Sequence, residues 1–573
     1  MTGKKLPELL SPAGSPEAAD AAVKAGADAI YVGGRFLNAR MNAKNFTDEA
    51  LTECIEKCHK KGVRVYVTVN TAVLDRELVE AVKYTDLLYS IGTDALIVSD
   101  LGLAKALKGR YKNMELHAST QASGHNADCA AAFKELGFSR MVCARELSLK
   151  EITKLCADSP IEIEQFVHGA ICVSQSGQCL LSAVMGGRSG NRGVCAQPCR
   201  MKYNGTYPIS MKDMCLASHI TELIESGVAS LKIEGRMKSP AYVYEVTKTY
   251  RTLLDERRNA TERELKALAS VFSRSGFTDG YYTERINSEM LGVRTESDVS
   301  ATKSSFTAFR PVERDIPRIF TEERTPPTED FTPPKKAKQG GKKQKPIYTA
   351  RFSNPGQITD SGFFSHVYLP LERYEAGVAD GVIFPPSVFP GYDEEFKKQL
   401  ERAVGLGATH ALICHVGQLK YAIEYGLIPH GDYRLNVFNS VSAEGYIESG
   451  MRDVILSPEL TLPQMRDISA PKAAIVYGRL PLMLLTKPVE ASSLTDKTGA
   501  NFPIIKEASC DILLNSVPIY MADRSTELDS YGIRGRHLIF TTESKKECAA
   551  VISAYKNSGI GYPTPTKIRR ILK

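Results

Sequence analysis

The chain has 573 residues, of which 43% are apolar and 24% charged; this composition excludes a disordered or collagen-like polymer and describes folded globular protein. That length exceeds one hydrophobic core and implies two to four domains, while a net charge of +7 suits an anionic partner without requiring one. No apolar run reaches the roughly 18 residues of a membrane span and the amino terminus has no signal-peptide core, so a cytoplasmic protein with no membrane partner is expected.

From residue 8 the sequence alternates short apolar runs with amphipathic helical stretches. The runs are 8–14, 27–34, 63–70, 94–100, 114–120, 139–146, 161–169 and 229–236. Each is rich in Val, Ile and Leu and is followed by a stretch such as SPEAADAAVKAGA, the signature of strand–helix–strand units in a parallel sheet. Eight such units within about 230 residues match the length of a (β/α)8 barrel. An open doubly wound sheet is the alternative.

Barrels of this class build their sites from the carboxyl ends of strands and the loops that follow. Polar residues gather there: Ser11, Asn38, Arg40, Asn45, Asn70, Asp100, His117, Ser119, Gln121, Arg145, Glu146, His168, Lys232, Glu234 and Arg236. His117, Gln121, Glu146, His168 and Glu234 are the candidate catalytic residues. Arg40, Asn70, Arg145, Arg188, Arg192, Lys212, Lys232 and Arg236 are the candidate substrate-binding residues, since guanidinium and ammonium groups recognise carboxylates and phosphates. For any one of them a helix cap or a solvated surface charge is the competing reading.

After the eighth run, MKSPAYVYEVTKTYRTLLDER reads as a closing helix with Pro240 near its start. Residues 1–295 are therefore taken as the catalytic barrel. Residues 296–346, rich in Pro, Thr and Glu and ending with six lysines between Lys335 and Lys345, read as a flexible linker, with an RNA-gripping arm as the alternative. Residues 347–573 resume the alternation and are expected to form a second, degenerate and related α/β barrel-like domain. Its strands are read as PIYTARFS, SHVYLPLE, DGVIFPPS, HALICHVG, YRLNVFN, RDVILSPE and KAAIVYG. GMRDVILSPELTL (450–462) aligns without a gap over GFSRMVCARELSL (137–149), and in the next unit Pro481 and Pro488 stand where Cys172 and Cys179 do. The basic tail KIRRILK is a candidate phosphate contact.

Ten of the 13 cysteines precede residue 216. Cys54, Cys58, Cys129, Cys143 and Cys156 fall in helix or strand patterns and read as structural. Cys172, Cys179, Cys195 and Cys199 instead crowd into a Gly/Ser-rich loop after the seventh strand, interleaved with Arg188, Arg192 and Arg200. Such a loop cannot bury four thiols by periodicity, and in a reducing compartment ligation is the better reading. The spacing C-x6-C-x15-C-x3-C lacks the paired C-x2-C knuckles of a zinc ribbon, which favours an iron–sulfur cluster and leaves zinc as the alternative.

The segments ELLSPAGS, HASTQ, HG-x2-C-x6-C, GGRSGNRG-x-C-x3-CR and SLKIEGRMKSPAYV together resemble the collagenase-like peptidase U32 family. The resemblance implies an oxygen-independent RNA nucleobase hydroxylase, making 5-hydroxyuridine in tRNA or 5-hydroxycytidine in 23S rRNA. It implies a 4Fe-4S cluster on Cys172, Cys179, Cys195 and Cys199, with Cys215 as a spare thiol. It also implies prephenate as hydroxyl donor, so RNA and a small anionic co-substrate are the expected partners. Two other functions are carried forward: the peptidase of the family name, and a redox-sensing RNA-binding module. For the peptidase the sequence offers no HExxH helix and no nucleophile elbow.

Overall fold

The computed structural model describes residues 4–41, 43–296, 298, 309–314, 316–320, 323–335 and 345–559. By internal contacts the chain divides into two units, Met1–Ala72, Glu80–Gly177 and Gly190–Phe331 in the first, and Val73–Val79, Gln178–Ser189 and Thr332–Lys573 in the second. The tail KIRRILK, and all the lysines of the basic stretch except Lys335 and Lys345, lie outside the described residues. No described helix is long and apolar enough to cross a membrane.

In the first unit the strands are β1 (Glu8–Ala13), β2 (Ala29–Gly33), β3 (Arg64–Val69), β4 (Ala95–Val98), β5 (Glu115–Ala118), β6 (Arg140–Val142), β7 (Glu162–Ala170), β8 (Asp213–Cys215), β9 (Ser230–Ile233) and β10 (Phe277–Thr278). Strands β1 to β7 pair in order and in parallel, and β9 pairs with both β7 and β1, closing an eight-stranded barrel. The eight barrel strands are those read from the sequence; the short β8 is an addition, antiparallel to the end of β7. Both strand faces are covered. Leu10, Ala29, Tyr31, Tyr66, Ala95 and Ile97 pack together in one cluster, while their neighbours Leu9, Ile30, Val32, Val65 and Val67 are equally buried. That explains apolar runs that do not alternate, each Val, Leu or Ile contributing roughly 1.5–3 kcal/mol of burial. Helix starts follow local chemistry: Ser15 caps the helix Pro16–Lys24 with Pro16 at its first position, and Ser148 and Glu151 form a capping box.

The lower layer of this barrel is ionic. Arg140 Nη1 donates to Glu8 Oε1 at 2.6 Å and to Glu164 Oε2 at 3.2 Å, Lys232 Nζ donates to Glu164 Oε1 at 2.6 Å, and Tyr66 Oη donates to Glu8 Oε2 at 2.7 Å. All of these side chains are buried. Such charges persist in a core only when mutually paired and hydrogen-bonded.

The second unit holds β11 (Ile347–Phe352), β12 (His366–Pro370), β13 (Gly381–Ile383), β14 (His410–Ile413), β15 (Ile428–Gly431), β16 (Val454–Ile455), β17 (Lys472–Gly478), β18 (Pro481–Leu485), β19 (Ser493–Thr495), β20 (Asn501–Glu507), β21 (Cys510–Leu514), β22 (Ile519–Tyr520) and β23 (Gly535–Phe540). Strands β11 to β17 and β23 close a second parallel eight-stranded barrel, and β18–β21 form a separate antiparallel sheet. Two readings are corrected. YRLNVFN is not a strand: Tyr433–Leu435 is a 3-10 turn and Asn439 caps the next helix, and the strand is the preceding Ile428–Gly431. The eighth strand, β23, was not among those read.

Register shows the second barrel to be a repeat of the first. Followed pair by pair round both sheets, Leu10 matches Thr349, Ala29 matches His366, Tyr31 matches Tyr368, Ala95 matches His410, His117 matches His430 and Met141 matches Val454, and the circuit closes. The local details agree. Strand β7 has a register shift between Phe166 and His168 against β9, as β17 has between Ile475 and Tyr477 against β23. Gly169 and Gly478 follow these shifts with φ of +101° and +121°, and a Cβ there would sit 2.5 Å from Glu234 O and 2.1 Å from Ile539 O, so only glycine fits. Tyr250 and Tyr555 donate to Val167 O and Val476 O at 2.8 and 2.6 Å. Asn126 and Asn439 cap equivalent helices.

Residues 309–331 make specific contacts within the first unit. Val312 N donates to Lys24 O at 2.8 Å, Arg314 pairs with Asp28 at 2.7 Å, Ile319 N donates to His59 O at 2.9 Å, and Phe309 stacks on Tyr244. The described residues of this Pro- and Thr-rich stretch thus contact the first unit at Lys24, Asp28, His59 and Tyr244.

Candidate active site

The carboxyl end of the first barrel opens into a cleft. Arg40, Asn70, Gln121, Arg145, Lys232, Glu234 and Arg236 all line it, with Tyr31, Thr68, Ser119, Thr120 and Phe166. Glu234 is the one carboxylate of that lining. Arg40 Nη2 donates to Glu234 Oε1 at 3.2 Å and Tyr31 Oη to Ile233 O at 2.9 Å. Burial alone would raise the Glu234 carboxyl, yet the charges of Arg40, Arg145 and Arg236 hold it below its ordinary value. Glu234 in turn pushes Arg40 upward against burial, with a further contribution from Cys172.

Each cation is aimed by its neighbours. Arg236 Nη1 donates to Thr68 Oγ1 at 2.9 Å and crosses Gly33, where any Cβ would come within 2.4 Å of it. Burial lowers the Arg236 guanidinium to about 10, with Arg40 adding to the shift and Tyr31 and Glu234 opposing it. Arg145 lies 4.1 Å over the Phe166 ring, and its Nε is buried with no hydrogen-bond partner. Lys232 lies 4.5 Å over Tyr31 and 5.4 Å over Phe166, held there by Glu164. Cations stacked on aromatic faces lose less on desolvation than bare ones. Asn70 accepts from Ala39 N at 2.9 Å and donates to Ser119 Oγ at 3.2 Å, which fixes its amide at the rim.

The cysteine loop closes on this face at two places. Met41 N donates to Gly193 O at 3.2 Å, Ala72 N to Asn191 O at 2.9 Å and Arg192 Nη1 to Ala72 O at 2.5 Å; at the other side Ser123 Oγ donates to Ser176 O at 2.7 Å. Arg200 ties the ends of the loop together, donating to Ile171 O at 3.2 Å, Ser210 Oγ at 3.0 Å and Met211 O. Cys172 and Cys195 are exposed and Cys199 is half-buried. The three thiols act on one another: burial pushes Cys199 up to about 12, with Cys172 and Cys195 adding and Arg200 opposing. Metals and iron–sulfur clusters bind thiolates, so Cys172, Cys195 and Cys199 supply the donor type of such a group. Cys179 is half-buried and Arg188 exposed; both belong by contacts to the second unit, where Leu180 N donates to Leu482 O at 2.7 Å.

Three of the candidate catalytic residues stand away from the cleft lining. His117 is buried in the ionic layer, its Nε2 3.0 Å from Glu115 Oε2, and burial together with Arg140 lowers its pKa. His168 is buried among Tyr242, Tyr250 and Phe277 and is lowered to about 3 by burial. Glu146 is buried and raised to about 6, burial outweighing backbone hydrogen bonds and Arg145. Lys212 is half-buried and its N–H donates to Met290 O at 2.8 Å. Asp100 is a helix cap, accepting from Leu103 N at 2.9 Å, and Cys215 lies buried with its Sγ 3.8 Å from Tyr250 Oη.

A model of peptidase family U32 matches residues 14–291, every strand of this barrel after β1. A protein of Methanocaldococcus jannaschii named "Uncharacterized protease MJ0090" is 39% identical over 305 residues, spanning 49% of this chain and 74% of its own length. The chain belongs to peptidase family U32. Two further relatives carry other names. The "23S rRNA 5-hydroxycytidine C2501 synthase" of Escherichia coli is 38% identical over 313 residues, covering 53% of this chain and 46% of its own length. The "tRNA hydroxylation protein P1" of Bacillus subtilis is 39% identical over 268 residues, covering 44% of this chain and 64% of its own length. The chain thus spans about half to under two thirds of these two relatives.

Some residues of this U32 site carry no motif. Tyr31, Thr68 and Phe166 sit within apolar strands, and only the closed barrel shows that they face inward; the period-two positions of the strands would have nominated them. Lys238 follows β9 and lies 2.7 Å over the Phe272 ring. Burial lowers it to about 7, with Arg274 and Arg294 adding and Asp213 opposing.

Proposed function

We propose that the chain is an oxygen-independent RNA nucleobase hydroxylase acting on a pyrimidine of tRNA or 23S rRNA. The observation that carries the reading is the cleft itself, in which Arg40, Arg145, Arg236 and Lys232 surround the single lining carboxylate Glu234 above a Tyr31–Phe166 floor. An excess of fixed cations in a desolvated cleft selects an anionic ligand, and guanidinium forks bind carboxylates bidentately. That chemistry suits prephenate as the hydroxyl donor, which carries two carboxylates. A pyrimidine splayed out of single-stranded RNA would present its polar edge to Asn70, Ser119 and Gln121.

The roles of the side chains follow from their contacts. Glu234 orients Arg40; Glu164 fixes Lys232 in place; Arg145, with its Nε unsatisfied in the protein, offers a donor to the ligand. A 4Fe-4S cluster held by Cys172, Cys179, Cys195 and Cys199 would supply single-electron transfer. The names of the two hydroxylating relatives support the reaction class. The protease name of the third relative supports the competing reading, but none of the described lining residues is a histidine or a cysteine. Mass spectrometry of nucleosides from tRNA and rRNA of cells lacking the chain tests the proposal: a 5-hydroxypyrimidine should disappear and return on complementation, and unchanged levels in both RNA pools contradict it.

A further inference from the structure

We infer that the second barrel holds a divalent cation of the zinc class on His366, His410 and His430. The ring nitrogens of these three residues converge, with one ligand atom from each lying within 4.8 Å of the others. His366 and His410 open β12 and β14, which flank β13, and His430 is the third residue of β15, so one parallel sheet presents the site towards the amino end of the barrel. His410 Nδ1 and His430 Nε2 are 3.0 Å apart, close to the roughly 3.3 Å between two nitrogens bound to one tetrahedral zinc at about 2.0–2.1 Å each.

The outer contacts are those of metal ligands. His366 Nδ1 is 2.8 Å from Asp380 Oδ2, and Asp380 is itself fixed by Val367 N at 2.7 Å; His430 Nδ1 is 3.0 Å from Asp453 Oδ1. A carboxylate on the far nitrogen sets the tautomer that turns the other lone pair toward a cation, as ligating histidines usually require.

The repeat supplies an independent comparison. In the first barrel the positions of His366 and His410 are Ala29 and Ala95, and Tyr66 stands where the second has Gly381, whose missing Cβ gives room to the Tyr368 ring and the His410 Cβ. The residue matching Asp453 is Arg140, which faces His117, the match of His430, and disfavours a charge on it. Passing from one barrel to the other, a tyrosine is removed, two alanines become histidines, and the cation beside the shared histidine becomes an anion. A three-imidazole cation site uses both added histidines and the anion beside the shared one. Imidazole donors select zinc-type ions over magnesium or calcium, and a water completes a tetrahedron. The position at the amino ends of the strands, away from the face where such barrels do chemistry, marks the role as stabilising.

The full-length chain loaded with zinc chloride and then dialysed exhaustively should retain zinc that His410→Asn and His430→Asn each reduce at least ten-fold. A Cys172→Ser/Cys195→Ser variant should retain that histidine-dependent zinc. Asp380→Asn and Asp453→Asn, which keep the ligands, should weaken zinc affinity about 10–100-fold and so test the site should a histidine variant fail to fold. Cobalt added to the Cys172→Ser/Cys195→Ser variant should give visible d–d bands abolished by Asp453→Asn. Zinc retention indifferent to all four substitutions, or a cobalt spectrum without such bands, overturns the site and leaves a hydrogen-bonded histidine cluster.

Discussion

The two barrels share a register but not a chemistry, and their matched positions separate scaffold from site. Glu234, Arg236 and Arg145 of the first barrel correspond to Ile539, Thr541 and Pro458 of the second, while the bulge at Gly169 and Gly478 and the tyrosine hydroxyl on the preceding carbonyl are kept. What is retained fixes the backbone where β7 meets its neighbours. What is lost is every charge of the cleft at those positions. The loop after the seventh strand diverges likewise, into a cysteine-bearing segment in one case and the antiparallel sheet β18–β21 in the other. The second barrel therefore keeps the architecture of a site without its recognition groups.

Substitutions at matched positions break or sharpen this contrast. The largest effect is expected at Arg140: Arg140→Met removes the guanidinium that bridges the buried Glu8 and Glu164, leaving two buried carboxylates to Arg64 and Lys232 alone, and should cost on the order of 3 kcal/mol, read as a fall in the first melting transition. Asp453→Asn, at the matched position, should move melting far less in metal-free protein, since Asp453 is half-exposed. Arg40→Ala removes the partner of Glu234 and one wall of the cleft, and should lower hydroxypyrimidine formation on the order of a hundred-fold in complemented cells, with folding intact by circular dichroism. Glu146→Gln should raise stability at neutral pH. The buried carboxyl keeps its proton to about pH 6, against 4.5 for an exposed one, so the folded state binds more protons in that window and stability falls as pH rises through it. The melting advantage of the glutamine variant should thus grow between about pH 4.5 and 7, to roughly 2 kcal/mol. The smallest effect is expected at Thr541→Ala, in the position of Arg236, where hydroxypyrimidine levels should change less than two-fold.

Much of this was legible in the sequence where one residue type serves one purpose. All eight strands of the first barrel could be read because both their faces are buried, which makes their runs predominantly apolar despite inward charges such as Glu164 and Lys232. In the second barrel β15 escaped notice because its sequence, IPHG, places proline and glycine in a strand, while YRLNVFN imitates one with alternating apolar residues. Strand β23 carries Arg536 and His537 and follows the inserted sheet, which hides its place in the alternation. Within the site, the polar strand ends marked eight residues of the cleft, Ser119 among them, but sequence cannot fix depth along a barrel axis. His117 and His168 thus share the pattern of Arg40 and Glu234 while lying among buried partners. The three histidines of the second barrel sit dozens of residues apart, and only sheet register brings them together.

The claim that recognition belongs to the first barrel's cleft is tested most directly by quantifying 5-hydroxypyrimidine nucleosides in tRNA and rRNA from cells whose only copy of the chain carries Arg40→Ala with Arg145→Ala. Cells carrying Thr541→Ala provide the matched control. The account predicts near-complete loss in the first strain and wild-type levels in the second; equal levels in both would contradict it.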